Sequence, residues 1–209
     1  MLKRISMGLI LLMTFVASWQ SMADPVRSPH EIITMAASSM AEQLKGRKDY
    51  LDDNREELYA LINEILVPHF DTRYAGRLVL GKYWKAVTKA QRNQFIEVFY
   101  EFLLQSYANG ILKFDEDAIT VHPVDIGRED KRATVKTEMR MEDGKLIPVN
   151  YSMRKSKFGW RVYDVRIEGV SYIQNYRNQF NAEIGALGIE AVIERLQSET
   201  RKAKLTTES

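Results

Sequence analysis

The stretch 132–167, RATVKTEMRMEDGKLIPVNYSMRKSKFGWRVYDVRI, decides the fold. Val135, Thr137, Met139 and Met141 alternate with Lys136, Glu138 and Arg140, the period of two that separates the two faces of a strand. Glu142-Asp143-Gly144 is a turn of the Asp-Gly type that joins hairpin strands. Ile147, Val149, Tyr151 and Met153 alternate next, and Ser156-Lys157-Phe158-Gly159 turns the chain again. In the strand that begins at Trp160, Tyr163, Val165 and Ile167 are read as sharing a face. With an edge strand expected near 119–124, these segments form an antiparallel meander with one apolar face.

Helical patterns lie on both sides of the meander. Ser28-Pro29-His30-Glu31 opens the first: a Ser cap, Pro at the first helical position and Glu three residues after the cap. Ile32, Ala36, Met40 and Leu44 follow at helical spacing, and Gly46 with the charges around Lys48 marks its end. Asn54 and Glu57 repeat the capping arrangement before Leu58, Leu61, Ile62 and Ile65, with Pro68 as the stop. A short helix is expected over 72–80, ended by Gly81. Thr88 and Gln91 cap the longest one, which should reach about Asn109 and carries Phe95, Val98, Phe99, Phe102, Leu103 and Tyr107. After Gly169 two helices are predicted, about 172–183 and 189–198, followed by a polar tail. The absence of repeats and linkers makes this one α+β domain over 24–201: an antiparallel sheet of about four strands wrapped by N- and C-terminal helices, with 202–209 as a disordered tail.

The N-terminus reads as a leader. Lys3 and Arg4 precede an apolar run over 5–19, and Ser21-Met22-Ala23 puts small residues at −3 and −1 of a cleavage point before Asp24. Residues 1–23 are therefore expected to be a secretory signal peptide, since the run is shorter than the roughly 20 residues a membrane-spanning helix requires. No Cys stands at the cleavage point to carry a lipid anchor. The chain has 30 Lys+Arg against 28 Asp+Glu, and loss of Lys3 and Arg4 brings the two counts level. That balance gives no general reason to bind nucleic acid or an anionic membrane. With Cys absent, disulfides and thiolate metal sites are excluded.

Chemistry is sparse. His30, His69 and His122 lie far apart, none at metal-ligand spacing, and each reads as a surface or cap residue. There is neither a Gly-rich phosphate loop nor a Gly-x-Ser-x-Gly elbow. The acid pairs Asp52/Asp53 and Glu56/Glu57 sit where a helix N-terminus already favours them. Asp164, inside an apolar strand, is the one carboxylate resembling a general acid or base; its plainer reading is a solvent-side or salt-bridged residue on the alternating face. No catalytic residue, metal or cofactor is assigned. What stands out is bulk: 10 Tyr, 8 Phe, 9 Met and 3 Trp, residue types that serve a filled core and a hollow one equally.

Tyr74-Ala75-Gly76-Arg77-Leu78-Val79-Leu80-Gly81-Lys82-Tyr83-Trp84 resembles a signature of the MlaC family of periplasmic phospholipid-binding proteins, also described as a toluene-tolerance auxiliary family. Thr88-Lys89-Ala90-Gln91-Arg92 with Phe95 and Phe99, Tyr163-Asp164-Val165, and Ile167-Glu168-Gly169-Val170-Ser171 are similar to that family in place and spacing. The resemblance covers nearly the whole chain after the leader. It implies a non-enzymatic periplasmic carrier with an apolar pocket between sheet and helices. Such a carrier exchanges phospholipid with the outer-membrane lipoprotein MlaA and its porin, and with MlaD of an inner-membrane ABC transporter complex, and so maintains lipid asymmetry of the outer membrane. On that reading the pocket is assigned to Val135, Met139, Val149, Tyr151, Met153, Val165 and Ile167 of the sheet, with Leu78, Phe99, Leu103, Tyr107, Val170 and Ile173. Three other readings stay open: a carrier of another apolar ligand, an envelope adaptor with a solid core, and a small cone-shaped enzyme with Asp164 or His122 pointing into a cavity.

Overall fold

The computed structural model describes residues 27–207 apart from 128 and 142, with the backbone alone at 114–118 and 205–207. The expected leader, 1–23, lies outside the described residues. Helix α1 (Pro29–Leu44) starts as its sequence dictates: Glu31 N–H donates to Ser28 Oγ at 3.3 Å, and Ser28 N–H donates to Glu31 Oε2 at 2.7 Å. An unanticipated short helix follows, α2 (Lys48–Asp53), and it alters the next cap. Asn54 does not cap α3 (Arg55–Ile65) with its side chain; its Nδ2 donates back to Tyr50 O at 2.8 Å, closing α2. Glu57 is engaged by Arg47 and by the Tyr50 hydroxyl.

A 3-10 turn at Val67–His69 leads into α4 (Thr72–Leu80), where Asp71 Oδ1 accepts from Tyr74 N–H at 2.9 Å. Gly81, at φ 52°, turns the chain out. Helix α5 (Lys89–Leu112) has the Thr88/Gln91 capping box and runs through Gly110, because Ala108 and Leu112 hold its last turns in the interior.

The sheet comprises β1 (Phe114–Val121), β2 (Arg132–Met141), β3 (Leu146–Ser156), β4 (Gly159–Ile167) and a two-residue β5 (Val170–Ser171), antiparallel in sequential order. Strand β1 lies earlier than the expected edge strand, and β5 adds a fifth strand. Helices α6 (Tyr172–Leu187) and α7 (Ile189–Thr207) both outrun their expected ends. The tail read as disordered is thus helical as far as Thr207.

Cross-strand register sets the faces. Val135 pairs with Tyr151, Thr137 with Val149, and Met139 with Ile147. Val149 pairs with Ile167, Tyr151 with Val165, and Met153 with Val162, with a register shift between Ser152 and Met153. The extra residue at that shift is Tyr163. It therefore does not share the face of Val165 and Ile167; its ring packs edge-on against Tyr74, 5.4 Å between centroids.

Buried apolar side chains fall into three clusters. The largest joins α4, α5, α6 and α7 through Val79, Phe95, Phe99, Tyr176, Phe180 and Leu196. The next joins α1, α2, α3 and α5 through Met40, Leu51, Leu58, Ala108 and Leu112. The last seats Ile32 and Ile33 of α1 on Val135, Met153, Trp160 and Val162 of the sheet. Helices α4 and α5 touch through Gly76, where an added Cβ would stand 2.6 Å from Ile96 Cγ1. Gly76→Ala is therefore expected to lower stability by about 1–3 kcal/mol through overpacking, read as an earlier midpoint in urea unfolding, while Gly110→Ala, with open space around it, should not.

Candidate functional site

The apolar face of the sheet brings together all the sheet residues singled out from the sequence: Val135, Met139, Val149, Tyr151, Met153, Val165 and Ile167. Their surroundings divide them. Val135 and Met153 are fully buried and covered by Ile32 and Ile33, so protein already fills the space above them. Met139 and Val149 are buried without joining any of the three clusters. Tyr151, Val165 and Ile167 remain half-buried, although burial pushes the Tyr151 phenol well above its ordinary value. Thr137, read from the sequence as sharing this face but not assigned to the pocket, is buried, and its hydroxyl donates to Val149 O at 2.6 Å.

The helical candidates also divide. Phe99 is core, its ring 5.5 Å from Phe180 and 5.2 Å from Tyr176. Leu103 and Ile173 are partly buried at the edge of that same cluster. Tyr107 is 39% exposed; its hydroxyl is 2.7 Å from that of Tyr176, and its ring packs on Tyr172. Burial first, then the Tyr107 hydrogen bond, raises the Tyr176 phenol. Tyr172 and Tyr176 escaped the sequence reading, although their spacing of four on α6 was a usable signal. Helix α5 packs on α7, α4 and α3, whereas the sheet is packed by α1, α4 and α6, so α5 stands off the apolar face.

Leu78, Val170 and Ile173 line an open recess of about 550 Å³ with Tyr163, Asp164, Arg166 and Arg177. It lies against the polar face, and Val170 is 58% exposed. A second recess, about 400 Å³, lies between α1 and β1 along Thr34, Ala37, Ser38 and Ala41, and contains none of the predicted residues.

Asp164 is opposite Ser152, hence on the face away from the apolar one, and is buried. Its Oδ1 accepts from Ile173 N–H at 3.1 Å and its Oδ2 from the Ser171 hydroxyl at 2.7 Å, with Arg166 Nε at 3.6 Å. The carboxylate is a helix anchor: it satisfies an otherwise orphan N–H in the first turn of α6. The salt-bridged reading of Asp164 holds and the solvent-side one does not. His122 pairs with Glu138 at 3.7 Å, both half-exposed. Among the described residues no acidic, His or Cys group has the geometry of a metal site, and no helix is long and apolar enough to cross a membrane.

These features define a class: an α+β protein whose helices wrap an antiparallel meander with its large apolar strand residues gathered on one face. The chain belongs to the MlaC protein family, which it matches over residues 35–198. It is 26% identical over 196 residues to the toluene tolerance protein ttg2D of Pseudomonas putida, covering 92% of this chain and 91% of that one. It is 24% identical over 173 residues to the intermembrane phospholipid transport system binding protein MlaC of Haemophilus influenzae, covering 81% of each. In three dimensions it is similar to a phospholipid-binding protein of Ralstonia solanacearum, solved in complex with a phospholipid, with a TM-score of 0.78 and 22% identity over 85% of this chain and 99% of that one.

Asp164→Ala should free the start of α6 and cost about 1–2 kcal/mol. The expected readout is a drop of several degrees in thermal midpoint, with early hydrogen exchange confined to the first turn of α6.

Proposed function

We propose that the protein is a soluble periplasmic carrier that holds the acyl chains of a phospholipid between the apolar sheet face and helices α5 and α6. The observation that carries this reading is the division of the interior. A domain of this size commonly has one contiguous core, yet here the sheet cluster is separate from the helical ones, and Met139 and Val149 join neither. Tyr151 and Val165 pack at the margin of the sheet cluster and keep accessible surface there. On this reading the pocket wall is Met139, Val149, Tyr151, Val165 and Ile167 of the sheet, with Leu103 and Tyr107 of α5 assigned to the side facing them. Leu78, Val170 and Ile173, which line the recess on the other face, fall outside that wall, while Phe99, Val135 and Met153 act as packed support.

The chemistry suits an acyl chain. Each methylene withdrawn from water contributes about 0.8 kcal/mol, and Met and aromatic side chains adapt to chains of different length. Headgroups stay in water, so the wall needs no buried counter-charge. Two relatives carry names that fit: a phospholipid transport binding protein and a structure holding a phospholipid. The carrier takes and delivers lipid at membrane-bound partners, which we assign to MlaA and its porin at the outer membrane and to MlaD at the inner membrane. It performs no catalysis.

The test is native mass spectrometry of protein purified from the periplasm without detergent, with chromatography of its organic extract. A stoichiometric phospholipid adduct is expected; a bare mass that stays bare after incubation with liposomes overturns the reading. Ile167→Trp and Val165→Trp, which fill the proposed pocket without adding charge, should lose the adduct while circular dichroism stays unchanged. An adduct retained in both would place the chains elsewhere.

A further inference from the structure

The polar face of the sheet carries a charge pattern that the level total conceals. Register sets Arg132 directly opposite Arg154, and Arg154 directly opposite Arg161, a row of three cations across β2, β3 and β4. Like charges directly opposite on adjacent strands repel and lower stability. One carboxylate relieves the row: Asp71 Oδ2 accepts from Arg154 Nη1 at 2.5 Å, and that guanidinium lies over the Tyr74 ring, 4.3 Å from its centroid. Arg132 reaches only the Tyr74 hydroxyl, at 3.5 Å. Neither Arg132 nor Arg161 has a carboxylate partner among the described residues. In the loop before β2, Asp130 is turned toward Gly127, whose N–H it accepts at 2.8 Å. Burial first, and then the charges of Arg161 and Arg27, hold the His69 imidazole below its ordinary value.

The turn between β3 and β4 projects from the same end. Phe158 at its tip is 70% exposed, with the Lys157 ammonium 4.7 Å from its ring centroid. The tip is braced: Ser156 Oγ accepts from Phe158 N–H at 3.1 Å and donates to Gly159 O at 2.8 Å, while Gly159 takes φ 87°. A large aromatic held out of the fold by a rigid turn, beside unpaired cations, has no structural use within the domain.

We propose that the Arg132–Arg154–Arg161 row and the Phe158 turn form a docking surface for an anionic phospholipid bilayer. The guanidinium forks engage lipid phosphates, and Phe158 inserts among the headgroups with Lys157 at the same level. A bilayer fits better than an acidic protein because Phe158 stands on a bare two-strand turn. Such a tip enters a fluid interface but offers little area to a rigid partner. This contact is independent of the acyl pocket: it is made at the other face of the sheet, and vesicle association and lipid loading are separate readouts.

The test is liposome flotation of the mature protein with phosphatidylcholine vesicles and with vesicles containing about 30% phosphatidylglycerol. The wild type should float with the anionic vesicles only and be released by salt. The exposed double variant Arg132→Gln/Lys157→Gln, and separately Phe158→Ser, should each weaken that association roughly tenfold, with the lipid adduct in native mass spectra unchanged. Equal association with neutral vesicles, or undiminished association of both variants, overturns the proposal. So does capture by an acidic membrane-protein ectodomain with no affinity for protein-free anionic vesicles, which would assign the same surface to a protein partner.

Discussion

Strand β4 has one residue more than β3 can pair, at Tyr163, and the placement of α6 depends on it. If Tyr163 were paired in the ladder instead of bulged, strict alternation from Val162 would put Asp164 on the apolar face and Val165 and Ile167 on the polar one. With the bulge, Val165 and Ile167 stay opposite Tyr151 and Val149, while Asp164 turns to the other side and meets the start of α6. Two interactions then fix the corner. Asp164 holds Ser171 and Ile173, and Tyr163 packs against Tyr74 of α4. Before the irregularity β4 is bridged by Phe70, and after it by β5, so the edge of the sheet is covered on both sides of Tyr163. One inserted residue thereby orients the two helices that close over this edge and preserves a continuous apolar face.

That detail marks the limit of what the sequence reveals. Period-two alternation was enough to put Val135, Met139, Val149, Tyr151 and Met153 on one face, because each belongs to an uninterrupted strand. The same rule misplaced Tyr163, since a bulge is a property of two strands in register and leaves no mark on one of them. Capping chemistry behaved alike. Ser28/Glu31 and Thr88/Gln91 formed their reciprocal hydrogen bonds, but Asn54 was drawn into closing α2, a helix whose six residues show too little periodicity to be read. Helix α5 runs past its expected end near Asn109 and through Gly110, because buried Ala108 and Leu112 outweigh the glycine's poor helix propensity. For the site, periodicity told which way a side chain points and nothing of what faces it. Phe99 and Leu103 are one helical turn apart on α5, yet only the former is fully enclosed.

The partition of charge follows the partition of the sheet. With the large apolar side chains gathered on one face, most charged strand positions fall on the other, and there arginines accumulate against few acids. A count of 30 basic against 28 acidic residues cannot reveal this, because the sum discards position. Arg154 shows how the fold tolerates the crowding: a half-buried guanidinium keeps its charge by pairing with Asp71 and stacking on Tyr74, which also ties α4 to β3.

Energetics constrain what the proposed carrier could do by itself. Moving an acyl chain from bilayer to pocket exchanges one apolar environment for another, so most of the roughly 0.8 kcal/mol per methylene that separates either from water cancels. The proposed pocket would shield the chains in crossing water but would favour neither end of the crossing. Direction must come from where the protein docks and from free energy supplied at one of those sites. A small wall built of Met139, Tyr151 and partly exposed aliphatics is consistent with that division of labour, because tight, specific packing around the ligand would make release the slow step. On the proposed reading, loose apolar containment on one face, with recognition of the membrane delegated to other surfaces, would let the same molecule load and unload without a change in its core.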